Sequence, residues 1–533
     1  MSPTLSLPTT DYLSADCRPP TAVSPTHDPR LTTHDSPVHL DVRSHFSFLD
    51  GASSPLALAE RAAALGQDVL ALTDRDGLHG AIPFARACRG VGVRPFHGAT
   101  ITLPDGRDLT LLVKDRDGWR SLCRLLTAAG LAGRKGHTPV APALLAAHTA
   151  GLLCLTGGHD GPLAGPLLAA DEDAARRAVR WLRDLFRDDL WIALPGNDRP
   201  DDPLLQARLA ALARELGLGV VAVAAVRYAT PADAPLADVL ACIRAGTTLA
   251  AARHLRPNHR HHLADAIELA ARFAAHPAAL ANTRLVADRC PFTLDFGTHH
   301  FPAAPIPPDA PDLAPTARLR ALCRQGVTDR YAPGDPATWQ RAARQLDREL
   351  AVIAGLALAP FFLLVHDVVR FARTRGIPCQ GRGSAVGSVV AYSLGIGRVD
   401  PLAHRLLFER FLSAERGSLP DIDIDFGHAR REEVIQYLYR TYGPAHVGMA
   451  CTVQTYHLRG AVRDVGKALG LPAPALEAVA TRVRRGLDPD LTAAVVATVG
   501  EGAPAVPPGA SSSLFRNASS APRATSASTT AAS

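Results

Sequence analysis

At 533 residues the chain is too long for one ordinary domain, and about three is the expected number. Its 47% apolar and 20% charged content excludes a disordered or fibrous chain, and no apolar run approaches membrane-spanning length. A net charge of +6 is a weak pull toward nucleic acid, and because Lys occurs only at 114, 135 and 467 among 57 basic residues, the Arg excess reads as GC-rich coding bias, not as function.

Residues 1–37 are rich in Pro, Ser and Thr without periodicity and are expected to be disordered. Asp11 and Asp16 precede any basic residue, unlike a secretory signal. From Val38 to about Leu285, short apolar strands alternate with Ala/Leu/Arg helices; VLALT at 69–73, LLCLT at 152–156 and VVAVAAV at 220–226 are the clearest strands. That alternation predicts an α/β layout of barrel type. The histidines at 45, 79, 97, 259, 261, 262, 299 and 300 have no metal-ligand spacing and are expected to be ordinary surface residues. The nine cysteines are dispersed, odd in number and form no C-x-x-C pair, which reads as reduced, buried thiols in a cytosolic protein.

The next region, 286–450, carries the chemistry. The segment Arg375-Gly-Ile-Pro-Cys-Gln-Gly-Arg-Gly-Ser-Ala-Val-Gly-Ser388 runs into the apolar stretch 389–394. Gly381, Gly383 and Gly387 allow tight turns and close approach of a ligand. Ser384 is expected to N-cap a helix, whose free N–H groups form an anion site with Arg382 as a fork-shaped donor. A helix start with packing glycines would give the same pattern.

Further on, Asp421, Asp423 and Asp425 alternate in PDIDIDF. Strand periodicity puts the three carboxylates on one face, and Ile422, Ile424 and Phe426 on the other, where they can enter a core. Like charges in a row repel, and a hard cation such as Mg²⁺ relieves that. A solvated acidic face is the plain alternative. A calcium loop is disfavoured because its sixth position, which needs Gly, is Phe426. A phosphate cradle followed by metal carboxylates reads as nucleotidyl transfer. Between Ala429 and Arg485 basic residues outnumber acidic ones, a sensible place for phosphate contacts. Residues 451–500 read as helical, and 501–533 are low-complexity.

The block from Pro360 to Leu471 resembles the palm of bacterial C-family DNA polymerases, through FFLLVHDVVRFARTRGIPCQGRGSAVGSVVAYSLGI, VDPL, LLFERFLS, PDIDIDF, RREEVIQYLYRTYG and RDVGKALG. The CQGRGS wording is more like the error-prone, damage-associated branch than the replicative alpha subunit. The resemblance implies a two-ion Mg²⁺ site on Asp421 and Asp423, triphosphate binding by Arg382, Gly383 and Ser384, and phosphate contacts by Arg463 and Lys467, for which a solvated helix face is an equal alternative. Asp425 is not a standard ligand in that family. The implied partners are primer–template DNA, deoxynucleoside triphosphates and other replication or damage-response proteins, with a cytoplasmic location and no membrane.

The first region resembles the polymerase-and-histidinol-phosphatase (PHP) domain, through SHFSFLDGAS, LALTDRDGLHGA and LLVKDRDGWRSLCRLLTAA. The metal ligands that this resemblance implies are largely replaced. Asp41-Val-Arg43 stands for His-x-His, Arg75 for a histidine, Thr100 for a glutamate and Ala225-Val-Arg227 for Asp-x-His, with Asp74 retained. Arginine offers no lone pair to a metal. The domain is therefore expected to be a metal-free scaffold, its arginines paired with acidic groups.

The implied architecture is α/β: a disordered segment (1–37), a PHP-type distorted βα barrel (38–285), an α+β nucleotidyltransferase-like palm (286–450), a partial helical thumb (451–500) and a low-complexity tail (501–533). The family's third catalytic aspartate, fingers and clamp-binding modules have no counterpart before Ser533. A frameshift or early stop is the simplest explanation, with a deliberate short form as the alternative, and little polymerase activity is expected of this chain alone. The alternatives are a replicative alpha-subunit fragment, a non-catalytic DNA-binding remnant and a PHP phosphoesterase.

Overall fold

The structure is a computed structural model; it describes residues 36–134, 136–252, 255, 258–294, 301–306, 313–412, 420–450 and 452–484. The expectations for residues 1–35 and 485–533, and for His299 and His300, lie outside the described residues. The chain divides into two compact units. One holds the described residues up to Thr293 and those from Thr455 onward; the other runs from Leu294 to Gln454.

The first unit is built on a six-stranded sheet: β1 (Val69–Leu72), β2 (Arg94–Thr102), β3 (Asp108–Val113), β4 (Leu152–Leu155), β5 (Leu190–Pro195) and β6 (Gly219–Val223), neighbours in that order. β1–β2, β4–β5 and β5–β6 pair in parallel, whereas β3 runs antiparallel to both its neighbours. All three strands expected from the sequence are present, although the third ends at Val223 and leaves Val226 as an isolated bridge to Val42. The extended segment around that bridge hydrogen-bonds to both edges of the sheet: Val42 O accepts from Thr73 N at 2.8 Å, and Arg43 N donates to Val226 O at 2.9 Å. The sheet is thereby curled toward closure.

The near-continuous apolar runs are explained by burial on both faces. Leu70, Leu72, Ile101, Leu109, Leu111, Ile192 and Leu194 pack with the surrounding helices, while Val69, Ala71, Phe96, Leu112, Leu153, Trp191 and Val221 form a second core. Val286, Ala287 and Cys290, in and after helix Pro277–Asp288, complete that second core. Three of this unit's helices begin where the sequence supplies a cap: Ser54, Asp115 and Asp171 each accept a bond from a first-turn N–H. Helices Leu458–Ala468 and Ala473–Arg484 also belong to this unit; Val462, Val465 and Val479 share a core with Val239 and Leu240 of helix Ala234–Ala245.

The second unit is mainly helical. Helices Pro315–Tyr331, Pro336–Gly355 and Ala359–Thr374 surround a core that includes Leu346, Ile353, Phe362, Val369 and Val390. Among the described residues its one sheet is a two-stranded antiparallel pair, β7 (Cys379–Arg382) against β8 (Asp423–Phe426). No single described helix is long and apolar enough to cross a membrane. Of the cysteines, 88, 154, 242, 290, 323 and 379 are buried, as expected, and Cys123 is half-buried; none of these forms a disulfide.

Candidate functional site

The acidic run and the glycine turn meet across one strand pair. Arg382 lies directly opposite Asp423 in the β7–β8 register. Its guanidinium is 3.2 Å from Asp425 through Nε and 3.7 Å from Asp423 through Nη2. One side chain can reach both carboxylates only because residues two apart on a strand share a face. Gly383 follows at φ +71°, a left-handed conformation that glycine adopts without strain, and a Cβ there would stand 3.7 Å from Asp423 Oδ2. Thus Arg382, Gly383 and Asp423 are adjacent. Ser384 is exposed in the same turn, and Asp421 is exposed just before β8.

Ile422, Ile424 and Phe426 pack against the unit's core but remain half-buried. The strand geometry from Asp423 to Phe426 is incompatible with a calcium loop.

One expectation is corrected here. Ser384 does not cap a helix. Residues Gly383–Gly387 form a short 3₁₀ turn, and the cap of helix Val389–Ser393 is Ser388, whose Oγ accepts from Ala391 N at 3.1 Å. Nor are the N–H groups of that helix free for an anion. Val389 N and Val390 N each donate at 3.0 Å to the carboxylate of Glu349, a fully buried residue that the sequence did not single out. The reason for the shift is packing: a Cβ on Gly387 would lie 2.8 Å from Leu407 O, so the chain stays in a tight turn through Gly387 and turns helical only afterwards.

Arg463 and Lys467 lie on helix Leu458–Ala468 in the first unit. Arg463 is already engaged, with Nε 3.0 Å from Glu477 Oε2, while Lys467 is exposed.

The mouth of the curled sheet holds a different arrangement, lining a cavity of about 460 Å³. Arg43 bonds Asp50 at 2.6 Å and Asp108 at 3.2 Å. Arg75 grips Asp108 with both Nη atoms, at 2.7 and 2.5 Å. Arg227 pairs with Asp50 and, at 3.4 Å, with Asp160. Arg244, which sequence reasoning missed, adds a contact to Asp50 at 2.9 Å. Burial pushes the Asp50 carboxyl up, but Arg227, Arg43, Arg244 and Arg75 together outweigh it and hold it well below the usual carboxylate range. The three guanidiniums expected to be paired with acidic groups are so paired. Their partners Asp50, Asp108 and Asp160 went unnoticed because acidic residues far apart in sequence carry no mark of convergence.

Asp74 is buried and accepts from Ser44 N at 2.7 Å and Ser47 Oγ at 2.7 Å. Burial outweighs these hydrogen bonds and raises its carboxyl to about 6. Among the described residues one group, His159, Asp201 and Asp202, brings potential metal-ligand atoms within 4.8 Å of one another. Its atoms have other partners: Asp202 accepts from Asn197 N at 2.8 Å and Arg199 N at 3.0 Å and pairs with His159, while Asp201 is 3.3 Å from Arg199 Nε.

The surface assignment of the histidines is corrected in two places. His97 is buried between Phe84 and Trp119, and His262 is buried and bonded to Glu268 at 2.8 Å. His97 sits in β2, whose residues are buried on both faces, and burial lowers its ring to about 4, keeping it neutral.

Comparison with known proteins finds two families along the chain, the second of which extends past Gln454 into residues that belong to the first unit. Residues 39–195 match the PHP domain family, and residues 317–501 match the family described as the bacterial DNA polymerase III alpha NTPase domain. The chain is 39% identical to an error-prone DNA polymerase of Symbiobacterium thermophilum over 478 residues, covering 85% of this chain and 43% of the relative. It is 41% identical to an error-prone DNA polymerase of Methylococcus capsulatus over 444 residues, covering 83% of this chain and 40% of the relative. It is likewise 41% identical to one from Mycobacterium tuberculosis over 446 residues, covering 81% and 40%. The chain thus spans about two fifths of the length of these curated relatives.

Proposed function

The chain belongs to the error-prone branch of the bacterial DNA polymerase III alpha family, as its N-terminal part, and from that premise we propose that the β7–β8 pair is the nucleotidyl-transfer site of a DNA-directed DNA polymerase. The second unit is then the palm, and helices Leu458–Ala468 and Ala473–Arg484 begin the thumb. The observation that carries the reading is the register that sets Arg382 and Gly383 beside Asp423.

The donor set fits Mg²⁺. Asp421 and Asp423 offer hard carboxylate oxygens, Asp421 is exposed, and the Arg382–Asp423 contact is long at 3.7 Å, so neither is locked away by a close partner. Two such ions, when bound, lower the pKa of an attacking hydroxyl and neutralise charge on the leaving pyrophosphate. The chain's own part is positioning. Arg382 is held by Asp425 at 3.2 Å, on the strand face it shares with Asp423, where it can fork onto a phosphate. Gly383 and the exposed Ser384 present a backbone that a triphosphate can approach without meeting a Cβ at the first position. Asp425 thereby orients the arginine and is no ligand itself.

The substrates on this reading are deoxynucleoside triphosphates and primer–template DNA, in repair or translesion synthesis in the cytoplasm. The barrel is a scaffold in which arginine–carboxylate pairs replace metals. Mg²⁺-dependent binding of a deoxynucleoside triphosphate to the 533-residue chain, measured by calorimetry, should be lost in Asp421→Ala and Asp423→Ala. Binding that is equal in wild type and both variants would overturn the site. Metal analysis of the same preparations should find no stoichiometric zinc or manganese; a bound ion that disappears in His159→Ala would overturn the metal-free scaffold.

A further inference from the structure

We infer that Glu349 is a positioning residue that fixes the far end of the phosphate turn. The inference rests on the nucleotidyl-transfer reading of that turn. Glu349 lies on helix Pro336–Gly355, forty residues before the segment it holds, and is fully buried. Its carboxylate accepts from Ser388 Oγ at 2.8 Å, Val389 N at 3.0 Å and Val390 N at 3.0 Å, and Gln345 Nε2 supplies a fourth donor at 3.0 Å. Ser388 Oγ passes the restraint on by accepting from Ala391 N. The first donors of helix Val389–Ser393 are therefore held from inside the protein.

Two consequences follow. First, the turn Gly383–Gly387 is suspended between two anchors. β7 is held in register with β8 at Arg382, and Ser388 is held by Glu349. A short turn fixed at both ends keeps Arg382, Gly383 and Ser384 in place without a ligand, which lowers the ordering cost of binding one. Second, the helix start already accommodates a carboxylate, so a substrate phosphate is confined to the exposed side of the turn, at Arg382–Ser384. Burial pushes the Glu349 carboxyl above its ordinary range, and its four donors oppose that shift and stabilise the carboxylate in place.

Nothing in the local sequence marks this role. The residue sits in RQLDRELAVIAG, an amphipathic pattern in which an acidic residue ordinarily faces water.

The test uses the full 533-residue chain and three readouts: backbone hydrogen exchange, affinity for Mg²⁺–deoxynucleoside triphosphate and affinity for primer–template DNA. Glu349→Ala should speed exchange at Val389 and Val390 and weaken triphosphate binding about tenfold, with DNA affinity unchanged. Glu349→Gln keeps one acceptor oxygen and should fall between, at about threefold. Where the alanine variant fails to fold, the glutamine variant carries the comparison. Wild-type triphosphate affinity retained in both variants would overturn the positioning role alone. A parallel loss of triphosphate and DNA affinity would also overturn it, since that is what general destabilisation produces. A wild-type chain without triphosphate affinity would overturn both this role and the nucleotidyl-transfer reading.

Discussion

The barrel mouth and the aspartate strand each gather carboxylates, and they neutralise them in opposite ways. At the mouth, Asp50 is 6% exposed and has four arginines within ion-pair reach. On β8, Asp425 is exposed and Asp423 half-buried, with a single arginine between them. Buried charges persist only when paired and hydrogen-bonded, whereas exposed ones can stay open to an incoming ion. At the mouth the carboxylates are taken up by arginines, which fits the proposed scaffold role. The strand leaves carboxylate oxygens without a close partner, which is what the proposed metal site requires.

The most forceful way to break this contrast is to remove the hub of the closed network. Asp50→Ala leaves Arg43, Arg227 and Arg244 short of a carboxylate, and a buried pair broken from one side costs about 3–5 kcal/mol. Denaturant unfolding of the variant should display that loss. A change within about 0.5 kcal/mol, the ordinary range for surface substitutions, would mean that the network is not buried as described.

Asp74 sharpens the same side of the comparison through pH. Its folded carboxyl is pushed up to about 6, above the ordinary aspartate range, because burial outweighs its serine donors. A raised acid stabilises the folded state below its unfolded pKa, and that contribution is lost as pH rises from about 4 to 6. The shift corresponds to roughly 3 kcal/mol across the window. Asp50 has the opposite sign, since its depressed pKa gives stability that is lost as pH falls. The difference between wild type and Asp74→Asn isolates the first effect: wild type should lose stability relative to the variant as pH climbs from 4 to 6. Parallel pH curves would contradict the raised carboxyl.

On the strand the expectation inverts. Asp423→Asn should change stability by no more than about 0.5 kcal/mol, because its side chain is partly exposed and its one ion pair is long. Magnesium-dependent triphosphate affinity should nevertheless disappear. A large stability loss with affinity intact would make Asp423 a structural residue like Asp50, and the contrast would vanish.

How far the sequence spoke depended on whether an interaction is local. The strands at 69–72 and 152–155 were legible because β-branched and leucine-rich runs bounded by turns carry their own signal. Asp423 and Asp425 were legible as one face because period two is a property of the strand itself. Arg43, Arg75 and Arg227 were conspicuous as misfits in a resemblance, and from them ion pairs could be expected. Asp50 lies seven residues from Arg43, but the other pairings could not be named, since Asp108 meets Arg43 across 65 residues and Asp50 meets Arg227 across 177. The helix cap went to Ser388 instead of Ser384 for a similar reason: tertiary contacts at Gly387 and Glu349, remote in sequence, decide where the helix starts. His97 was misplaced because a lone histidine within a polar-looking RPFHGAT segment gives no sign that both faces of its strand are covered.

The smallest expected effect concerns the helix that carries the two candidate DNA contacts. Arg463 is bonded to Glu477, so contact with a phosphate must first exchange that carboxylate, and the ion pair offsets much of the gain. Lys467 is exposed on the same helix and has no such exchange to make. Neutralising one phosphate contact should lower the slope of log affinity against log salt by about 0.9 on duplex DNA. Lys467→Ala should produce that decrement in fluorescence-anisotropy titrations of primer–template, uniformly across sequences, while Arg463→Ala should produce less. An equal decrement for both would place Arg463 on the DNA despite Glu477. No decrement for Lys467 would leave the exposed face of this helix a solvated surface, and the contrast between engaged and open charges would then hold only for the carboxylates.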